Sequence, residues 1–65
     1  NTLEIISKEK IDFVEKSDFL VNSLIDKSGS EFVYRMSFNN KKELQNFKAR
    51  LDKEKNLEKV NVIYN

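Results

Sequence analysis

The chain has 65 residues, room for one small hydrophobic core, and it contains neither cysteine nor histidine. Disulfides, thiolate metal sites and the commonest neutral-pH acid/base side chain are thereby excluded. Its 12 basic and 11 acidic residues are interspersed, giving a formal net charge of +1 and no large single-sign field to draw in a polyanion.

Leu3, Ile5 and Ser7 alternate with Glu4 and Ile6, which predicts a short first strand. Ser7 is placed to cap a short helix running to Ser17, with Ile11 and Val14 spaced i, i+3 on its buried side. The segment 18–26 is rich in strand formers: Phe19, Leu20, Val21, Leu24 and Ile25. Lys27, Ser28, Gly29 and Ser30 read as a hairpin turn, and Gly29 is the only glycine of a chain without proline. Phe32, Tyr34, Met36 and Phe38 then alternate strictly with Val33, Arg35 and Ser37, the strongest strand signal present. Asn40 is a natural N-cap with Glu43 three residues on, opening an amphipathic helix predicted over residues 40–55. Its apolar stripe is Leu44, Phe47 and Leu51, and Lys48 with Asp52 and Arg50 with Glu54 are spaced to pair on its solvent side. Val60, Val62 and Tyr64 alternate with Asn61 and Ile63 as a closing strand.

The element order is β-α-β-β-α-β, an α+β domain. It predicts the ferredoxin-like arrangement, a four-stranded antiparallel sheet with both helices on one face. The competing reading takes residues 8–27 as one long helix, because Val21 and Ile25, and Leu20 and Leu24, are each spaced i, i+4. That would leave β-α-β-α-β with three strands. The hairpin is preferred because β-branched and aromatic residues cluster before a turn that suits it.

Little in the sequence carries chemistry. Nucleophilic catalysis needs an activating base, and Ser28 and Ser30 beside Lys27 are better turn residues than nucleophiles. No enzymatic activity and no cofactor are expected. Asp12, Glu15 and Asp18 are fewer acids than a hard-cation loop uses, so no metal is assigned to them. The aromatics of residues 31–38 lack the basic, glycine-containing signature of an RNA-stacking strand, so a nucleic-acid-binding module stands only as the third reading and no nucleic-acid partner is expected. Two places are candidates for a small ligand, an amino acid or an anion: Ser7, Lys8 and Lys10 after the first strand, and Asn40, Lys41 and Lys42 at the second helix start.

The sheet offers a further clue. With Leu3, Ile5, Phe32, Tyr34, Met36, Phe38, Val60, Val62 and Tyr64 toward the helices, Ile6, Val33 and Ile63 fall on the other face beside Glu4, Arg35, Asn61 and Asn22. One register of the second strand adds Leu20 and Leu24 there. A half-apolar open sheet face predicts an interface, formed by Ile6, Leu20, Leu24, Val33, Arg35 and Ile63, for self-association or for a neighbouring domain.

The first strand Leu3-Glu4-Ile5-Ile6, the strand Phe32 to Phe38 and the closing unit, Glu43 to Leu51 followed by Val60-Asn61-Val62, together resemble an ACT-like regulatory domain. The closing pattern is also similar to the soluble C-terminal domains of MgtC/SapB-type membrane proteins. The resemblance implies a non-catalytic regulatory module and a parent protein that is membrane-bound. Ligand-binding ACT domains carry a glycine in the turn after the first strand. Here that turn is Ser7-Lys8-Glu9-Lys10, so no ligand residue is carried over from the family. The longest apolar runs, Phe19-Leu20-Val21 and Ile5-Ile6, fall far short of the ~20 residues a membrane span needs. A domain excised from a longer protein, lying in the cytoplasm, is the expectation, supported by a chain that starts at Asn1 and has Met36 as its only methionine.

Overall fold

The computed structural model describes residues 1–25 and 31–64. The expected turn at Lys27, Ser28, Gly29 and Ser30 lies outside them. The elements in chain order are β1 (Thr2–Ser7), α1 (Asp12–Glu15), β2 (Leu20–Ile25), β3 (Phe32–Ser37), α2 (Lys41–Leu51) and β4 (Leu57–Ile63). The strands form one four-stranded sheet in the order β2-β3-β1-β4, with every neighbouring pair antiparallel. The three-stranded alternative is therefore corrected: residues 20–25 pair with β3 instead of extending a helix. Neither helix is long and apolar enough to cross a membrane.

Strict alternation decides which side of the sheet is covered. Leu3, Ile5 and Ser7 on β1, with Tyr34 and Met36 on β3, are almost fully buried, and Phe38 just beyond β3 joins them. Ile11 and Val14 from the first helical segment, and Leu44 and Leu51 from α2, belong to the same core cluster, so both helices lie on this inner face. Val60, Val62 and Leu57 of β4 pack against its margin. Phe13, Phe19, Phe38 and Phe47 extend the core between the helices, with ring centroids 4.7–5.7 Å apart in tilted arrangements.

The two helices differ in how much the local sequence specifies them. Asn40 is an N-cap whose side chain accepts from the Glu43 N–H at 2.9 Å, while its own amide donates to the Glu43 carboxylate at 3.2 Å. The cap and its Glu43 partner are those the spacing predicts, with Glu43 bonding the Asn40 side-chain amide and not its backbone N–H. The helix stops at Leu51, four residues short of the expected end. Lys53 and Glu54 donate to the carbonyls three residues back, tightening the chain out of the α-helix, and Lys8 N–H then binds the Asn56 carbonyl so that β4 starts at Leu57. Lys48 and Asp52 pair at 3.8 Å as expected, whereas the Arg50 guanidinium lies 4.6 Å from the Phe13 ring centroid.

The first helix is a single turn, and Ser7 does not cap it. Ser7 ends β1, where its buried Oγ accepts from the Glu9 N–H at 3.2 Å and donates to the Glu9 carbonyl at 2.7 Å. That local ring turns the chain at the position where a longer helix would have begun. The actual cap position is Ile11, which has no side-chain cap and is fixed instead by burial and by Tyr34.

Candidate docking face

The side of the sheet opposite the helices is built from three rows of outward residues. In sheet order, the first row is Ser37, Thr2 and Ile63; the second is Asn22, Arg35, Glu4 and Asn61; the third is Leu24, Val33, Ile6 and Lys59. Ile6 and Val33 are half-buried by their neighbours, while Leu24 and Ile63 are exposed by 63% and 51%. Leu24, Val33 and Ile6 thus form an apolar bar across three adjacent strands that none of the described elements covers. Beside it the Arg35 guanidinium donates to the Glu4 carboxylate at 3.3 Å, joining the two central strands.

Of the expected interface residues, Ile6, Leu24, Val33, Arg35 and Ile63 share this face, and Leu20 does not. The register shifts between Leu20 and Asn22, a bulge that places Leu20 opposite the inward Met36 and Leu24 opposite the outward Val33. Leu20 consequently packs on the core. An unbroken strand would have kept two leucines four residues apart on one side, and one extra residue reverses that. Val21 at the bulge is 61% exposed.

The two expected ligand places lie at opposite ends of the sheet. Ser7 pairs with Phe32 and Leu57, while Phe38, just before Asn40, donates its N–H to the Asn1 carbonyl. Four of the six side chains are engaged within the chain. Ser7 Oγ is taken up by Glu9, Lys8 Nζ lies 3.2 Å from Glu58, the Asn40 side chain caps α2, and Lys41 Nζ sits 4.9 Å from the Tyr64 ring centroid. Lys42 is exposed. Lys10 lines a cleft of about 240 Å³ with Glu15, Ser23, Leu24, Phe32 and Tyr34.

That cleft is floored by a polar node the sequence reading missed. The Tyr34 hydroxyl donates to a Glu15 carboxylate oxygen at 2.6 Å and accepts from the Ile11 N–H at 3.2 Å. Burial raises the hydroxyl from its ordinary 10.0 to about 12, the Glu15 hydrogen bond adds to the shift, and the Ile11 N–H opposes it. At neutral pH it is a committed donor that ties α1 to the sheet, not a nucleophile. The available signal was general: a tyrosine in a buried strand position needs a partner for its O–H. Its partners stand 19 and 23 residues away, beyond any local pattern. Among the described residues, no three or more acidic side chains come together as a metal site. No protein-family model, no curated protein and no solved structure matches the chain.

Proposed function

We propose that this chain is a non-catalytic interaction module of ferredoxin-like topology that docks another protein surface on the open face of its sheet. The observation that carries the proposal is the bar Leu24–Val33–Ile6, apolar, contiguous over three strands and left uncovered by the described residues. Burying this bar contributes nothing to the chain's own core, which lies wholly on the other side. A hydrophobic patch kept at the surface is the ordinary mark of an association site. The topology is supported by the strand order β2-β3-β1-β4 and by both helices sharing the inner face. A regulatory role of the ACT-like kind, in a cytoplasmic domain of a larger protein, belongs to the same proposal.

The absence of cysteine permits a clean test. Single reporters are introduced as Val33→Cys on the open face and Ala49→Cys on the exposed side of α2, and their maleimide reaction rates are compared in producing cells and in dilute purified protein. Docking slows the reaction at position 33 in cells, by roughly tenfold if the partner exceeds its Kd tenfold, and leaves position 49 unchanged. Equal rates at position 33 in the two settings would refute the reading.

A further inference from the structure

The open face is self-complementary, and we infer that its partner is a second copy of this chain, stacked sheet on sheet about a two-fold axis. This rests on the docking reading above and names the occupant. Face-to-face stacking requires the axis to lie in the plane between the sheets. Two such axes overlap the whole face, with all three rows and all four strands covered: one running along the middle row and one running along the strands midway between β1 and β3.

The central ion pair chooses between them. Glu4 and Arg35 stand side by side on β1 and β3, the two middle strands of the sheet. An axis along the rows sets Glu4 over Glu4 of the second copy and Arg35 over its Arg35, a juxtaposition of like charges that disfavours binding strongly. An axis along the strands, midway between β1 and β3, exchanges those strands between copies. Glu4 then lies over Arg35 of the second copy, and Arg35 over its Glu4, giving four alternating charges at the centre. The same operation sets Val33 over Ile6 and Ile6 over Val33, joining the two apolar bars. Leu24 meets the aliphatic stem of Lys59, and Asn22 meets Asn61. Every contact is isologous, so this interface closes at two copies.

The face is small, and that sets the size class of the interface. Four strands ~4.8 Å apart and three outward rows ~7 Å apart span roughly 400 Å² on each copy. A pair removes roughly 800 Å² or somewhat more in total, below the standard size of stable interfaces. The dimer is therefore of the weak, transient class, with its Kd sought between the micromolar and millimolar ranges.

Charge reversal with mixing tests this directly. Sedimentation equilibrium of the unaltered chain between about 10 µM and 1 mM searches that range and shows mass rising toward the dimer. Glu4→Arg and Arg35→Glu each place like charges across the axis, and each alone associates at least ~10-fold more weakly. Mixing the two variants sets arginines over glutamates and restores association to the level of the unaltered chain. Loss of the ion pair within each copy is the same before and after mixing, so a purely structural role predicts no rescue. In an isotope-filtered spectrum of a labelled and unlabelled mixture, methyl contacts appear between Val33 of one copy and Ile6 of the other. A strict monomer at the top concentration, absence of rescue, or Val33 in contact with Val33 across copies would each overturn the inference. Cellular protection of position 33 together with a strict monomer would leave the docking reading standing and assign the face to a different partner.

Discussion

Replacing Tyr34 with phenylalanine deletes one oxygen atom and leaves the core ring in place, so no cavity complicates the result. The oxygen is the acceptor for the Ile11 N–H and the donor to Glu15. Ile11 is buried and its amide starts a helical turn without a side-chain cap, so its N–H is left without a partner. An orphaned buried donor costs ~1–3 kcal/mol, and a hydrogen bond to a charged group contributes ~1.5–3 kcal/mol. Glu15 is half-buried and recovers water, which brings the expected loss to about 2–3 kcal/mol. For a domain of this size that lowers Tm by roughly 10 °C or more and leaves the urea m-value unchanged. The deficit also depends on pH. Because the folded state holds the Tyr34 proton up to about 12 and the unfolded chain releases it near 10.0, the hydroxyl's contribution is complete below pH 10 and is lost as pH rises through 12. The stability gap between the unaltered chain and Tyr34→Phe is thus widest at neutral pH and narrows as pH rises from 10 toward about 12. A gap under ~0.5 kcal/mol at pH 7, or one that widens with alkali, would refute the latch.

Other substitutions separate the local from the tertiary determinants. Asn40→Ala removes the α2 cap and costs about 1 kcal/mol by urea titration. Ser7→Ala breaks the ring that ends β1, with a loss of about 1–2 kcal/mol and faster hydrogen exchange at the Glu9 amide. Leu51→Ala, at a fully buried position, costs about 2–5 kcal/mol, whereas Leu24→Ala on the open face stays within ~0.5 kcal/mol at dilute concentration while weakening association.

What the sequence disclosed follows the range of the forces involved. The α2 start was legible because Asn40 and Glu43 act within one turn, and β3 because its alternation spans the whole strand. Outward and inward residues on β1, β3 and β4 were legible for the same reason, and with them most of the candidate docking face. The reading failed where a distant partner decides. Residues 57–59 carry weak strand preference and are held as strand by pairing with β1, while Lys53 to Lys55 are good helix formers left outside α2 as the chain turns toward that pairing. Ser7 is an excellent cap by type, yet the sheet claims it. The bulge at Val21 leaves no mark in composition, and it alone moves Leu20 from the expected interface into the core.

The most direct test of the central claim is a dilution series followed by amide and methyl NMR, from about 1 mM down to about 10 µM, across the Kd expected for so small a face. Docking of two open faces predicts concentration-dependent shifts at Glu4, Ile6, Val33, Arg35 and Leu24, with Leu44, Val14 and the α2 amides unmoved. Shifts confined to α2, or spectra identical at every concentration, would contradict it.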